Sequence, residues 1–183
     1  MGVTVSGKGL ASALASINAL TQNEVLIGIP STDASRDDPG KSGADLTNAA
    51  IGYIQETGSP AANIPARPFL VPGVTNAIPK IVAQLKKGAT AAVNGDKSAA
   101  EKALNAAGLI GSDAAKSVIE AGIMPALASS TLRGRGRAGM IGSAQELKSR
   151  KEGNEPGIEY TKPLIVTGQL RDSITYVIIP RDR

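Results

Sequence analysis

The chain of 183 residues contains no cysteine, no histidine and no tryptophan, and its aromatic residues are one phenylalanine and three tyrosines. Without cysteine it cannot form disulfides, and without cysteine and histidine nearly all zinc and haem sites are excluded. Catalysis by a histidine-activated nucleophile is excluded as well. We therefore expect no cofactor, no metal and no enzymatic activity.

Aliphatic residues must supply the core of this protein. Hydrophobic residues make up 42% of the chain, although aromatic residues make up only 2%. Small side chains bury less apolar area each, at roughly 25 cal/mol per Å². We expect modest stability for the isolated subunit and further stabilisation by partner subunits. The length favours one domain that spans residues 1–183.

The charge and hydropathy of the chain limit its partners. A formal net charge of +4 and a pI near 9.4 are compatible with nucleic acid, with an acidic partner or with neither. No apolar stretch approaches the roughly 18 residues that a membrane span needs, and the first residues lack the apolar run of a signal peptide. We expect no membrane partner.

Apolar stretches that alternate with polar residues, or that are rich in β-branched residues, predict short strands at residues 2–6, 25–29 and 174–179. Polar stretches rich in Gly, Ser, Asp or clustered basic residues predict two long flexible loops, at residues 31–43 and 131–160. The middle of the chain, in contrast, is rich in alanine and has helical periodicity.

Apolar residues at helical spacing predict several amphipathic helices. We expect them at residues 9–21, at 46–57, from Leu70 onwards, at 98–107 and at 112–127. The last two are separated because Gly108 and Gly111 interrupt the periodic pattern and glycine weakens a helix interior. The result is an Ala-rich helical block in the middle of the chain.

The only phenylalanine, Phe69, follows a segment that two prolines stiffen. Pro65 and Pro68 fix their own φ angles and push the preceding residues into extended geometry. We expect a stiff link between two helices, with Phe69 buried in its own subunit. Its predicted neighbour is the helix that carries Tyr53 and Ile54.

A fixed positive charge, Arg67, lies between the two prolines. Because the prolines restrict the backbone on both sides, the side chain is expected to point in one direction and to lose little entropy on binding. We expect Arg67 to pair with a carboxylate on its own or on a neighbouring subunit. A purely structural role for the rigid segment is the alternative.

Three alternating arginines, Arg133, Arg135 and Arg137, lie on a Gly-rich backbone inside the second predicted loop. Arginine suits phosphate recognition and glycine allows close approach, so contact with nucleic acid is one interpretation. A protein contact and a solvated loop are the others. The GRGRAG sequence at 134–139 has the letters of a dinucleotide-binding motif but lacks the preceding strand and following helix.

Two segments resemble tailed-phage virion morphogenesis proteins. AAIGYIQETGSPAANIPARPFL (49–70) resembles their pattern of a helix with Glu-x-Gly followed by Ile-Pro-x-Arg-Pro-Phe-Leu. PLIVTGQLRDSITYVI (163–178) resembles their C-terminal pattern Thr-Gly-x-Leu-x-x-Ser-Ile, in which Gly168 and Leu170 are motif residues. The family comprises neck, minor-tail and tail-completion proteins that join head to tail.

The resemblance implies an α+β fold in which a small antiparallel sheet packs with helices. It also implies a structural virion protein, synthesised in the bacterial host cytoplasm, that forms a ring in the neck between portal or connector and tail. Its expected partners are further copies in a sixfold or twelvefold ring, other neck, connector, tail-tube or terminator proteins, and genomic DNA contacted non-specifically in the channel.

The arginines at 67, 133, 135 and 137 are the candidates for the subunit interface or the DNA channel. Two alternative functions stay open on the sequence. One is a tail terminator, and the other is a basic DNA-binding protein, which the cluster of arginines suggests.

Overall fold

A computed structural model of the chain describes residues 11, 14, 15, 18, 21–30, 46–94, 96 and 98–181. In chain order its elements are β1 (Asn23–Gly28), α1 (Asn48–Thr57), a 3-10 turn (Pro60–Ala62), α2 (Leu70–Val93), α3 (Ala99–Ala121), α4 (Ser129–Arg137), α5 (Ile141–Lys151), α6 (Gln169–Asp172) and β2 (Thr175–Pro180). Those residues between 11 and 21 that are described are helical up to residue 21, as the periodicity predicts.

The fold class is α+β, because helices dominate and a small antiparallel sheet accompanies them. Strand β1 pairs with β2, with Val25 opposite Ile178 and Ile27 opposite Tyr176. The strands predicted around 25–29 and 174–179 are thereby confirmed. The strand predicted at 2–6 and the loop predicted at 31–43 lie outside the described residues.

The chain divides into two compact units. Unit 1 comprises Met1–Gly28, Val74–Ala114 and Thr175–Arg183. Unit 2 comprises Ile29–Gly73 and Ala115–Ile174. The single domain expected from the chain length stays a prediction.

Unit 1 is packed through small residues. A Cβ atom added at Gly88 would lie 2.2 Å from the Cβ of Ala103 and 2.9 Å from the carbonyl oxygen of Ala99. Gly88 lies on α2 and the two alanines lie on α3, so the helices approach closely there. The sequence predicts a helix start near Leu70, and α2 begins at that residue.

Helix α3 is continuous, so the interruption predicted at Gly108 and Gly111 is wrong. A Cβ atom at Gly108 would lie 2.2 Å from the ring of Tyr176, and one at Gly111 would lie 2.2 Å from Cδ1 of Ile27. The two glycines therefore make room for side chains of the sheet. This tertiary packing outweighs the cost of roughly 1 kcal/mol for each glycine in a helix interior.

An open apolar groove of about 670 Å³ lies on unit 1. Its lining comes from β1 and from the middle of α2 and α3, and most of its side chains are aliphatic. Ile78 of α2 lines the groove and remains 48% exposed. Many of the larger apolar side chains described in this unit therefore line an open groove.

Phe69 is the centre of the core of unit 2. It is 1% exposed and packs in one cluster with Ala115, Ile119 and Ile174. Its predicted burial is confirmed, and so is its predicted neighbour, the helix α1: a Cβ atom added at Gly52 of that helix would lie 3.8 Å from Cζ of Phe69. Tyr53 of the same helix is 70% exposed, so α1 approaches the ring through the small residue beside it.

The loop predicted at residues 131–160 is wrong over much of its length, because α4 and α5 occupy residues 129–137 and 141–151. The two helices contact each other. Leu132 of α4 is fully buried, and Glu146 of α5 is buried with its carboxylate satisfied by hydrogen bonds. Burial of one face outweighs the poor helix propensity of the glycines and polar residues that suggested a loop.

Candidate functional site

A pocket of about 420 Å³ opens on unit 2. Its lining comes from α1, from residues 63–67, from residues 127–135 and from residues 164–170. Three of these segments, all but residues 127–135, belong to the sequence stretches that resemble phage virion proteins. The pocket also contains two of the four arginines singled out from the sequence.

Arg67 is only 6% exposed and is held by main-chain oxygens. Its Nε donates to the carbonyl of Pro125 at 2.9 Å, and its Nη2 donates to the carbonyl of Ala126 at 3.2 Å. Its own main-chain N–H donates to the carbonyl of Gln55 at 2.6 Å. Burial lowers the pKa of the guanidinium from its ordinary value.

The expected carboxylate partner of Arg67 is absent from the described part of its own chain, where no acidic oxygen lies within 4.0 Å of the guanidinium. The main-chain carbonyl oxygens of residues 125 and 126 accept its hydrogen bonds instead. A carboxylate on a neighbouring subunit stays a prediction.

Arg135 extends from α4 into the same pocket. Its Nη1 donates to the carbonyls of Ile165 at 3.2 Å and Lys162 at 3.3 Å. Burial, and then the nearby positive charge of Arg67, lower the pKa of Arg135 from its ordinary value. Two guanidinium groups therefore share one recess, and no acidic side chain among the described residues lines it.

The three alternating arginines do not form one cluster. Arg133 and Arg137 are four residues apart on α4, and both are exposed. Arg135 lies about 200° around the helix axis from each of them, at about 100° per residue, and it is half-buried. The sequence interpretation missed this separation because it treated the segment as a loop. In a loop, alternation of residues does not predict which side chains point in the same direction.

Glu56 is a structural residue that the sequence interpretation did not identify. Its carboxylate accepts hydrogen bonds from the main-chain N–H groups of Phe69 at 2.7 Å, Leu70 at 2.9 Å and Val71 at 2.9 Å. These are free donors at the start of α2, where the helix dipole also favours negative charge. The Glu-x-Gly pattern is the signal that could have revealed it.

The geometry of Gly58 explains why the Glu-x-Gly pattern has a glycine at this position. It ends α1 with a φ of +78°, and its N–H donates to the carbonyl of Ile54 at 2.7 Å. An added Cβ would lie 2.9 Å from the main-chain nitrogen of Ala66. A glycine at this position therefore lets the following segment fold back close to α1, which brings Glu56 to α2.

The remaining motif residues surround the pocket and the core. Pro65 and Pro68 are exposed on either side of the buried Arg67. Gly168 has a φ of +86° and precedes α6, where Leu170 is buried. Both Gly168 and Leu170 line the pocket.

A second buried charge, Glu146, has its partners within unit 2. It accepts from Nε of Arg150 at 2.9 Å and from the main-chain N–H of Gly157 at 2.8 Å. The ion pair lies within α5, and the hydrogen bond from Gly157 holds the segment that follows the helix. Since both charges are matched, it is a structural contact and contrasts with the unmatched arginines of the pocket.

No family model, no curated protein and no solved structure matches the chain. Over the described residues, no group of three or more acidic, cysteine or histidine side chains is placed to hold a metal ion. The helices seen in that part of the chain are all too short or too polar to cross a bilayer.

Proposed function

We propose that this chain is a structural virion protein of a tailed phage that forms a ring in the neck and joins the head to the tail. One observation carries the proposal. The two segments that resemble phage morphogenesis proteins come together in unit 2, where Phe69 and Ile174 share the core and Arg67 and Gly168 line the same pocket.

This convergence supports the resemblance because three of the motif residues have a defined structural role. Glu56 caps α2, Gly58 permits the turn after α1, and Arg67 holds the main chain at residues 125–126. The two motif segments thus contribute to one core, which supports the resemblance. The proposed neck role rests on that resemblance.

The exposed groove of unit 1 supports assembly with further copies. Contiguous exposed apolar surface marks interaction sites in soluble proteins, and head-to-tail contacts that close by rotation produce rings. The partners are a sixfold or twelvefold set of copies, together with connector, tail-tube or terminator proteins. The location is the virion.

The test has two parts. The purified chain is followed by light scattering, native mass spectrometry and negative-stain imaging over a range of concentrations, and we expect rings with a central opening. Antibody against the chain should label the head–tail junction of the phage that encodes it. A protein that stays monomeric at all concentrations and leaves virions unlabelled would refute the neck role.

A matched pair of variants links the rings to the groove. Ile78→Lys places a charge in the groove and should abolish ring formation. Val93→Lys places the same charge on the same helix, at a side chain that is equally exposed (51%) but outside the groove lining, and rings should persist. Equal loss of rings in both variants would show that ring formation does not depend on the groove.

A second function, non-specific DNA contact, is favoured by the charge of one segment. Residues 129–152, which contain α4 and α5, carry six basic and two acidic residues, so their net charge of +4 equals that of the whole chain. If DNA is a partner, replacing Arg133 and Arg137 by Gln should reduce the salt dependence of binding by about 2 in slope. A salt-sensitive monomer without rings would favour this function over the neck role.

A further inference from the structure

The pocket of unit 2 contains positive charge that the described residues do not neutralise. A guanidinium has five N–H donors. Arg67 uses two of them on main-chain carbonyls, and Arg135 directs a single nitrogen at two carbonyls. Carbonyl oxygens supply hydrogen bonds but no net negative charge, so two partly desolvated cations remain side by side. Such a recess favours an anion.

The other walls of the pocket restrict what that anion is attached to. Ile51, Ile64, Leu164 and Val166 provide aliphatic surface next to the arginines. Gln55 also lines the pocket, but its side-chain oxygen is buried and is not presented to a ligand. The site therefore combines two cations with an apolar wall.

A peptide end matches both features. It carries a carboxylate and an adjacent aliphatic side chain, whereas a phosphate of a nucleic acid backbone carries no such side chain. The volume of about 420 Å³ lies within the range of about 300–1,000 Å³ that is typical of pockets for small ligands. The arginine fork is also well suited to bidentate contact with a carboxylate.

We propose that this pocket binds a carboxylate that a partner protein chain presents beside an aliphatic side chain, as at a chain terminus. Arg67 and Arg135 hold the carboxylate, and the aliphatic wall receives the side chain. The inference goes beyond the proposed neck role and does not depend on it, since it uses only the geometry of the pocket.

The probe is N-acetyl-L-leucine, and its control is N-acetyl-L-leucine amide, which differs by loss of the negative charge. Each is titrated at constant ionic strength into the full chain with ¹⁵N-labelled arginine side chains. We expect the acid to shift the Nε resonances of Arg67 and Arg135 with saturation, and to leave those of Arg133 and Arg137 unchanged. The amide should produce no saturable shift.

Two variants test the role of the arginines. Arg135→Gln should weaken binding of the acid roughly tenfold or more, because a charge-assisted hydrogen bond is lost. Arg133→Gln is the matched control, since it makes the same change of charge on the same helix at an exposed position, and its affinity should equal that of the wild type. If Arg135→Gln does not fold, the test rests on the wild-type chain, in which the acid must shift the Nε resonances of Arg67 and Arg135 but not those of Arg133 and Arg137.

Inorganic phosphate and a short oligothymidylate distinguish the source of the anion. We expect phosphate to compete weakly with the acid. We expect the oligothymidylate to cause no shift of the Arg135 Nε resonance. Equal binding of acid and amide, equal loss in both variants, or tighter binding of the oligothymidylate at Arg135 would each overturn the proposal.

Discussion

The two units of this protein solve the same packing problem with different side chains. Among the described residues, the buried apolar side chains of unit 1 are almost all alanine: Ala77, Ala92, Ala99, Ala100, Ala103, Ala107 and a single larger one, Leu104. Those of unit 2 are mostly large: Phe69, Ile119, Leu127, Leu132, Leu170, Ile174 and one small one, Ala115.

The difference shows how an aromatic-poor sequence divides its core-forming residues. Alanine and glycine let the helices and the sheet of unit 1 approach closely, but each contact buries little apolar area. Many of the larger aliphatic side chains described in that unit line an open groove. Unit 2 instead concentrates bulky side chains around Phe69 and adds hydrogen-bonded charged groups, the half-buried Glu56 and the buried Arg67 and Glu146. We therefore expect unit 2 to be stabilised internally and unit 1 to depend more on a partner.

The largest expected effect is at Phe69. Phe69→Ala should lower the free energy of unfolding by about 3–5 kcal/mol, because it leaves a cavity in the core of unit 2. Because we expect the isolated subunit to lie near the low end of the typical domain stability of about 5–15 kcal/mol, a large fraction of the variant should be unfolded or insoluble. Soluble yield and thermal denaturation measure this, with Phe69→Leu as the milder control. A folded variant with unchanged Tm that fails only in assembly would show that Phe69 is an interface residue.

Glu56 comes next. Glu56→Ala removes the acceptor of three N–H groups at the start of α2 and should cost about 2 kcal/mol. Chemical denaturation gives the total loss, and hydrogen exchange should increase first at residues 69–73. Glu155→Ala, at an exposed carboxylate of the same unit, is the control and should change stability by less than about 0.5 kcal/mol. Similar losses in both variants would contradict the capping role.

Gly88 tests the close packing of unit 1. Gly88→Ala should cost about 1–3 kcal/mol, because the new methyl group meets the main-chain oxygen of Ala99 as well as the methyl of Ala103. Hydrogen exchange should increase in the parts of α2 and α3 within unit 1. If this packing is loose, the better helix propensity of alanine prevails, and the variant is neutral or more stable.

The smallest effect has the opposite sign. Gly134 lies in α4, and a Cβ atom there meets nothing within 4 Å. Gly134→Ala should therefore raise the free energy of unfolding by roughly 0.5–1 kcal/mol, because it reduces the entropy of the unfolded chain and favours the helix. Thermal denaturation compares it directly with Gly88→Ala. A loss of stability would contradict the helix and favour the loop that the sequence suggests for this segment.

Local patterns were sufficient where the nearest neighbours in sequence decide the conformation. β-branched residues predicted β2, and Gly58 predicted the end of α1. They failed where distant contacts decide. Gly108 is kept inside α3 because a tyrosine of β2 packs on it, and residues 129–151 are largely helical because Leu132 and Glu146 are buried.

The candidate site was predictable only in part. The two prolines around Arg67 indicated a directed charge, and the side chain is indeed buried in one position. Its main-chain partners at residues 125–126 are remote in sequence, so no local pattern could identify them. The sequence also offered no reason to select Arg135 over its neighbours, since the helical twist that separates them follows from the tertiary burial of α4.

The sequence by itself excluded disulfides and histidine-activated nucleophiles, and it determined the aliphatic character of the core, because these depend on residue type alone. It also determined the rigid geometry of residues 63–69, because proline restricts the backbone. Only the tertiary structure decided which glycines are structural, which arginine joins Arg67 in a pocket, and that the two motif segments share one core. Those outcomes depend on contacts between residues far apart in the chain, whose burial energies exceed the local preferences that a sequence pattern records.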